Sequence, residues 1–199
     1  MRRHLVLFVR APQLGRGKRR LARAIGDVAA LRFERMMMAR LLRRLGRDRR
    51  WRLHIAVTPD RACTALRRRL PAAAVTPQGI GDLGARMSRA LSAPPPGPVV
   101  LVGGDIPALD ARHIAAAFRL LGKCDLVLGP AADGGFWLVG IRRRPPPAKL
   151  FGRVRWSGPH ALADVLAGLP GLLTIGFLET LEDVDDAAAY RRLAPLAGL

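Results

Sequence analysis

The residue best suited to chemistry in this sequence is Asp105, which directly follows an apolar, β-branched run. It lies in the segment 99–107, where Gly103 and Gly104 precede the carboxylate and a proline comes two residues after it. Such a run is typical of a strand buried on both faces of a parallel sheet, and ligands of open α/β sheets bind just beyond the carboxyl ends of these strands. A carboxylate there could hold a metal ion or face a phosphate. The alternative is that Asp105 only caps a turn, since Asp close to Pro is common in turns.

A basic loop follows the first apolar run and carries a second candidate. The segment 11–21 combines two glycines with cationic side chains at Arg16, Lys18, Arg19 and Arg20. Glycines allow the backbone to approach a ligand closely, and fixed cations suit a di- or triphosphate. The spacing is not that of a Walker motif, and a solvated basic turn is the alternative interpretation.

A second isolated carboxylate, Asp133, lies in the segment 129–140 and is followed directly by two glycines. It belongs to another loop at a predicted strand end, where the backbone can approach a ligand. The alternative is a tight turn with Asp in its first position. The next two residues, Phe136 and Trp137, could contact the same ligand or simply belong to the hydrophobic core.

These loops need a scaffold, and the alternation of apolar strands with amphipathic helices predicts one. Strands are predicted at residues 5–9, 53–57, 73–76, 99–102, 125–128 and 134–140 and near 172–176. Helices are predicted at 25–45, from a cap at Asp60 to residue 70, at 81–91, from a cap at Asp110 to residue 121, near 161–166 and after residue 186. This order predicts a three-layer α/β/α sandwich around a mostly parallel central sheet.

The composition suits one soluble, globular domain over residues 1–199. Half of the residues are apolar, and no apolar span is long enough to cross a membrane. The start superficially resembles a signal peptide, but its apolar run is short and lacks a small-residue cleavage site, so we expect a first buried strand and a cytoplasmic protein. Cys63 and Cys124 form neither a CxxC pair nor a metal-type cluster, and we expect both to be reduced and buried.

The formal charge of +19, taken alone, favours nucleic acid or an anionic surface as a partner. Only three of the 34 basic residues are lysines, however, which indicates a compositional preference for arginine. Basic runs such as Arg40 with Arg43 and Arg44 lie on predicted helices, where a solvated face is the ordinary interpretation. Aromatic residues are scarce, and no helix-turn-helix, zinc or RNA-binding pattern is present. Nucleic acid therefore remains only an alternative partner.

Four segments resemble a known family in their order and content. They are the basic loop 11–21, the Asp-Leu-Gly-x-Arg-Met segment 82–87, the Gly-x-Asp-x-Pro segment 103–107 and the Gly-Pro-x-x-Asp-Gly-Gly segment 129–135. Together they look like the rSAM/selenodomain-associated transferase family of the nucleotide-diphospho-sugar transferase (GT-A) superfamily, over nearly the whole chain. More distantly, the layout is similar to cofactor guanylyl- and cytidylyltransferases, and the late segment 181–186 resembles an Asp-x-Asp-Thr segment of several of those enzymes.

The resemblance implies a nucleotide held over the first half of the sheet and a divalent cation, Mg²⁺ or Mn²⁺, bound by Asp105. It implies that Lys18 contacts phosphate, with support from Arg16 and Arg20. Gly103 and Gly104 are further nucleotide-binding positions. Catalysis would then be largely electrostatic, because the cation and the basic loop neutralise charge on the leaving phosphate.

The same resemblance assigns roles to three residues outside the basic loop. Gln78 and Asp82 follow the third predicted strand, where the superfamily usually recognises the base or the ribose. Asp82 could equally be a helix N-cap. Asp133 would face the acceptor or assist the metal, so the implied catalytic set is Asp105, Asp133 and Lys18.

The sequence departs from the family pattern mainly at small polar positions. Arg19 replaces a threonine after the loop lysine, Gly104 replaces a serine or threonine, and Phe136 and Trp137 replace tyrosines. The threonine expected downstream of Trp156 is absent as well. These departures affect the acceptor side most.

Two enzymatic functions fit these residues. In one, a nucleotide sugar donates its glycosyl group to a small acceptor; in the other, a nucleoside triphosphate donates its nucleotidyl group to a phosphorylated acceptor. We favour glycosyl transfer slightly. A basic, non-enzymatic module that binds nucleic acid or another anion is the third alternative.

Overall fold

The computed structural model describes residues 1–143 and 150–197, built around a seven-stranded sheet. The strands are β1 (His4–Arg10), β2 (Arg52–Thr58), β3 (Ala74–Pro77), β4 (Val99–Val102), β5 (Leu126–Pro130), β6 (Phe136–Ile141) and β7 (Ile175–Phe177). Their order across the sheet is β3-β2-β1-β4-β6-β5-β7, and β6 runs antiparallel to both neighbours. The other six strands therefore end at the same edge of the sheet.

Helices cover both faces of this sheet. They are α1 (Arg19–Ile25), α2 (Asp27–Gly46), α3 (Ala62–Arg69), α4 (Leu83–Ser92), α5 (Ala111–Leu120), α6 (Ala161–Ala167) and α7 (Ala187–Ala197). Side chains alternate between the two faces along each strand. Leu5 and Leu7 of β1 thus share a core with α2, α3 and α5, whereas Val6 shares the opposite core with α4 and α6. The predicted three-layer, mostly parallel sandwich is confirmed.

A third, smaller cluster joins the two ends of the chain. Leu21 of α1, Phe33 of α2 and Val184 are buried together, and the ring of Tyr190 in α7 packs edge-on against Phe33 at 5.5 Å. This packing brings the loop after β1 beside the segment that precedes α7. Among the described helices, none is long and apolar enough to cross a membrane.

Local structure departs from the sequence-based expectations at a few places. The helix predicted at 25–45 corresponds to α2, but the shorter α1 before it was not predicted. A break at Gly26, whose φ of 84° is accessible mainly to glycine, separates the two. The residues before this break form α1, so Arg19 and Arg20 are helical. Arg40 does not lie on a solvated face: it is 8% exposed and donates to the Pro107 carbonyl at 3.0 Å.

The structure confirms one of the two predicted helix caps and the burial of one of the two cysteines. Asp110 caps α5 as expected, with its side chain accepting from the backbone N–H of Arg112. Asp60 does not cap α3 with its side chain, which instead accepts from the N–H of Gly79. Both cysteines are free; Cys63 is buried as expected, whereas Cys124 is only partly buried.

Candidate functional site

Three chain segments meet where β1 and β4 end. The loop after β1 supplies Lys18, the loop after β4 supplies Asp105, and the segment before α7 supplies Asp183 and Asp185. The N–H of Val184 donates to the Asp105 carbonyl at 3.1 Å, which ties the last two segments together. Val184 is fully buried, and the carboxylates of the residues on either side of it lie close to that of Asp105. Both aspartates are thus directed to the same side as Asp105.

The side chains of Asp105, Asp183 and Asp185 form a compact acidic cluster. One carboxylate oxygen from each lies within 4.8 Å of the others. Carboxylate oxygens are the ligands that Mg²⁺ and Mn²⁺ prefer, and such ions complete their coordination with water and substrate phosphate. The donor set therefore fits a divalent cation of this class.

Lys18 supplies the positive charge that this cluster contacts directly. Its Nζ donates to Asp105 Oδ2 at 2.9 Å and to Asp185 Oδ1 at 3.0 Å, and the lysine side chain is only 9% exposed. Burial disfavours the ammonium, but the two carboxylates outweigh burial and raise the pKa of Lys18 above its ordinary value. The lysine stays fully charged at neutral pH.

Asp183 has no such ion pair among the described residues. Its burial, together with the negative charges of Asp105 and Asp185, raises its pKa to about 6. Groups with strongly perturbed pKa values are concentrated at functional sites. The raised pKa of Asp183 thus adds to the reasons for treating the cluster as a candidate site.

Two cavities meet at Gly103 and Asp105. The first, of about 290 Å³, lies between the loop after β1 and α2, and its polar lining includes Arg10, Lys18 and Glu34. The second, of about 220 Å³, lies between α4, the loop after β5 and the segment before α6. Its lining includes the carboxylates of Asp105, Asp133 and Asp183 and the apolar residues Leu83, Met87, Ile106, Phe136 and Trp156. A ligand that spans both cavities would pass directly over the acidic cluster.

Glu34 is a further titratable residue at this site. It projects from α2 against Gly17, where any side chain larger than hydrogen would overlap its carboxylate. Burial raises the pKa of Glu34, although Lys18 and Arg10 act in the opposite direction. Glu34 was not identifiable from the sequence, because a lone Glu on an amphipathic helix is an ordinary solvent-facing residue.

The loop that carries Asp133 is closely packed at its base. Gly134 has a φ of 85°, and a Cβ there would lie 2.3 Å from the Pro159 carbonyl oxygen. Asp133 Oδ1 accepts from the N–H of Gly135 at 2.9 Å, which is the tight turn anticipated as the alternative. The turn nevertheless leaves Asp133 exposed, and its side chain lines the second cavity. Asp133 can therefore both form the tight turn and face a ligand.

The structure brings most of the other predicted site residues to the same edge. Gly103 and Gly104 line the first cavity with Lys18 and Asp105. Arg20 borders a wider opening that it shares with Asp133, Asp183 and Asp185. Arg16 lies on the exposed turn of the basic loop.

Gln78 and Asp82 have structural roles instead. Gln78 is 1% exposed, donates to the carbonyls of Val9 and Ala56, and accepts from Arg86. Asp82 caps α4 through the N–H of Ala85, which is the alternative anticipated for it. Neither residue lines the two cavities that meet at Asp105. Trp137 is buried, as its core interpretation requires, and both Trp137 and Phe136 line the second cavity.

Asp183 and Asp185 are functional candidates whose segment stood out in the sequence, although neither residue was assigned a role. The segment 181–186 holds four acidic residues and resembled an acidic segment of related enzymes. What could not be read was its distance from Asp105, because the Lys18–Asp185 contact joins residues 167 positions apart. The alternation of Asp183, Val184 and Asp185, with an apolar residue between two acids, was the available clue.

Comparison with solved structures identifies the fold. A Desulfovibrio desulfuricans G20 protein, named as a candidate nucleotide-diphospho-sugar transferase, is 27% identical, with a TM-score of 0.87 over 99% of this chain and 94% of that one. The CMP:2-keto-3-deoxy-manno-octonic acid synthetase complexed with CTP is 12% identical, with a TM-score of 0.61 over 100% and 99%. Rv0371C from Mycobacterium tuberculosis H37Rv, complexed with manganese, is 19% identical, with a TM-score of 0.53 over 97% and 98%. The latter two share the fold alone.

No curated protein matches the sequence. A family model described as "Uncharacterized protein conserved in bacteria (DUF2064)" matches residues 41–158, which include Asp105, Asp133 and the lining of the second cavity up to Gly158. The chain belongs to the DUF2064 family, and its fold is that of the nucleotide-diphospho-sugar transferases.

Proposed function

We propose that this chain is a divalent-metal-dependent transferase that uses a nucleotide-activated donor, and that it transfers a glycosyl group from a nucleotide sugar to a small acceptor. The observation that carries the proposal is the cluster of Asp105, Asp183 and Asp185 at the junction of two cavities. In a transferase, the bond that breaks joins the donor diphosphate to the transferred group. A metal site between a cavity for the diphosphate and a cavity for the acceptor would lie next to that bond.

The residues divide into a donor side and an acceptor side. On the donor side, Asp105, Asp183 and Asp185 would hold Mg²⁺ or Mn²⁺, which would neutralise charge on the departing nucleoside diphosphate. Lys18 would contact the phosphates, and Arg16 and Arg20 would add positive charge at the entrance. On the acceptor side, Asp133 would face the attacking hydroxyl group.

The relatives support the use of a nucleotide donor. The Desulfovibrio protein is named for nucleotide-diphospho-sugars, and the octonic acid synthetase was solved with CTP. The Mycobacterium tuberculosis protein was solved with manganese, which agrees with the donor set of the acidic cluster.

Nucleotidyl transfer is the second candidate, and the basic loop is the observation that favours it. A triphosphate requires more cationic neutralisation than a diphosphate, and four cations lie between Arg16 and Arg20. The two reactions can be distinguished by the class of nucleotide that binds together with the metal: a nucleotide sugar for glycosyl transfer, or a nucleoside triphosphate for nucleotidyl transfer.

A thermal-unfolding panel tests this proposal. Wild type, Asp105→Asn and the control Asp48→Asn are unfolded with nucleoside triphosphates, nucleoside diphosphates and nucleotide sugars, each with and without Mg²⁺ or Mn²⁺. A ligand present at about 100 times its dissociation constant stabilises the protein by roughly 2.7 kcal/mol. We expect metal-dependent stabilisation by nucleotide sugars that Asp105→Asn removes and Asp48→Asn retains.

Two other results would change the assignment. Preference for triphosphates over nucleotide sugars would identify nucleotidyl transfer. Stabilisation by any polyanion, independent of metal and equal in the Asp105→Asn variant, would contradict both enzymatic functions and leave a basic binding module.

A further inference from the structure

The two cavities that meet at Asp105 differ in charge. The first is lined by the cations Arg10 and Lys18, which can contact phosphate, and also by the carboxylates of Glu34, Asp105 and Asp185. The second is lined by three carboxylates, from Asp105, Asp133 and Asp183, and no lysine or arginine within residues 1–143 and 150–197 lines it. Among the described residues, only the first cavity therefore offers a cationic side chain to a phosphate group.

The second cavity also has an apolar wall. Leu83 and Met87 of α4, together with Ile106, form one part of it, and the rings of Phe136 and Trp156 form another. The two rings belong to a cluster with Phe151, in which ring centroids are 5.8–6.4 Å apart. Gly84 makes this cluster possible, because a Cβ there would lie 2.8 Å from the Trp156 ring.

We propose that the second cavity binds a neutral, carbohydrate-like acceptor whose hydroxyl group reacts beside the acidic cluster, a proposal that rests on the transferase function given above. A sugar ring presents C–H groups on its faces and hydroxyl groups at its edges. The apolar and aromatic wall suits the faces, and carboxylate oxygens accept hydrogen bonds from the hydroxyl groups. A cavity of about 220 Å³ suits a ligand the size of one monosaccharide.

A phosphorylated acceptor fits this cavity poorly. Its phosphate would carry between one and two negative charges into a space lined by three carboxylates. A divalent ion on Asp105, Asp183 and Asp185 would offset part of that repulsion, but Asp133 stands outside the cluster and retains its charge. The local charge thus favours glycosyl transfer to a hydroxyl group over nucleotidyl transfer to a phosphate.

Asp133 is the residue that links this cavity to the reaction. Its Oδ1 accepts from the Gly135 N–H, and among the described contacts its Oδ2 has no partner. The acceptor oxygen forms a bond to the anomeric carbon of the donor, while the bond from that carbon to the phosphate oxygen breaks. The nucleoside diphosphate leaves with the bonding electron pair, and the hydroxyl proton passes to the carboxylate of Asp133. Charge and atoms balance without an oxidant or reductant.

The test is a ligand-observed NMR titration of the full chain with Mg²⁺ and UDP or GDP present. The probes are the methyl glycosides of glucose, galactose and N-acetylglucosamine, each paired with its 6-phosphate. The variants are Asp133→Asn, which can keep the hydrogen bond to Gly135, and Phe136→Leu, which keeps an apolar wall without the ring. Asp48→Asn changes one carboxylate on a loop between α2 and β2 and is the matched control.

We expect wild type to bind a neutral glycoside more tightly than its phosphate. Asp133→Asn should weaken the neutral ligand about tenfold and tighten the phosphorylated one, because the same carboxylate attracts hydroxyl groups and repels anions. Phe136→Leu should weaken the neutral ligand about threefold, and Asp48→Asn should change neither. Thermal unfolding of each variant verifies that it is folded.

Three outcomes would overturn the inference: tighter binding of the 6-phosphates by wild type, equal binding of neutral glycosides by Asp133→Asn, or binding of no neutral glycoside. Stabilisation by nucleotide and Mg²⁺ is measured in the same samples. If that stabilisation is present while the glycosides fail, the acceptor class is wrong and the transferase function stands. If it is absent as well, the transferase function itself fails.

Discussion

Lys18 contacts the carboxylates that a metal ion would need, so replacing it should affect stability and metal affinity in opposite directions. Its ammonium lies 2.9 Å from Asp105 and 3.0 Å from Asp185. Lys18→Met keeps an unbranched side chain of similar length but removes the charge. Without metal, the variant leaves three neighbouring carboxylates without this counter-charge, and we expect it to be less stable than wild type.

The magnitude follows from the contact distances and the exposure of the partners. At 3 Å, one ion pair contributes about 1 kcal/mol in bulk water and about 5 kcal/mol at an effective dielectric constant of 20. Because the Asp105 and Asp185 side chains are 40% and 52% exposed, values near the lower limit apply to each contact. The two contacts together predict a loss of about 2 kcal/mol, which for a chain of this size lowers Tm by about 4–8 °C.

The energy of the two Lys18 ion pairs should also affect the free energy of metal binding. In wild type, Lys18 must separate from the carboxylates before a cation can bind them. The Lys18→Met variant has no such ion pairs to break, so its affinity for Mn²⁺ should be about tenfold to thirtyfold higher than that of wild type. Thermal unfolding in EDTA and across an Mn²⁺ titration measures both effects. Arg16→Met is the matched control, because Arg16 is an exposed cation of the same loop.

Two results would refute this reasoning. Weaker Mn²⁺ binding by Lys18→Met would mean that the lysine assists the metal instead of competing with it. An unchanged Tm in EDTA would mean that the ion pairs contribute nothing to the free energy of unfolding. Nucleotide affinity should fall in the variant even as metal affinity rises, because the proposed phosphate contact is lost.

Two further predictions concern stability away from the acidic cluster. His54 is buried against His4 at 3.0 Å; burial, then His4 and Arg52, lower its pKa to about 4, so the folded protein favours the neutral ring. The contribution of the neutral ring to the free energy of unfolding is complete above pH 6.5 and is lost as the pH falls toward 4. Between these pH values, the free energy of unfolding measured with urea should therefore fall by about 3 kcal/mol more in wild type than in His54→Gln. Gly134→Ala should lower the free energy of unfolding by about 2–3 kcal/mol, and Gly15→Ala by about 1 kcal/mol. Both glycines have positive φ, but only at Gly134 would the added Cβ meet a carbonyl oxygen. Equal losses in either pair of measurements would contradict the corresponding prediction.

The fold was predictable because its signals are local. Each strand is a short apolar run, and each helix has an apolar face that the sheet must cover. Asp105 was accessible for the same reason, since a buried strand followed by two glycines and a carboxylate is a local pattern. The helix α1 was not recognised, because its first residues were assigned to the basic loop, and only the backbone angle of Gly26 separates α1 from α2.

The acidic cluster was only half predictable because its assembly is not local. Asp185 meets Lys18 only after Val184 is buried with Leu21 and Phe33, and residues so far apart carry no sign of their pairing in a single sequence. Gln78 shows the converse. A glutamine after a strand has the same appearance whether it binds a nucleotide or satisfies buried carbonyls, and only the distances to Val9 and Ala56 separate the two roles.

Local charge, and not the net charge of +19, determines what the site can bind. A chain this basic is expected to attract polyanions, yet the junction of the two cavities is acidic, and among the described residues cationic side chains line only the first cavity. A uniform polyanion would meet the cations Arg10 and Lys18 in the first cavity, whereas the charged groups of the second cavity are carboxylates alone. A ligand with a diphosphate at one end and a neutral group at the other meets favourable charge along its whole length, provided that a divalent cation lies on the carboxylates between them. The proposed nucleotide sugar and neutral acceptor are the substrates that this distribution of charge suits best.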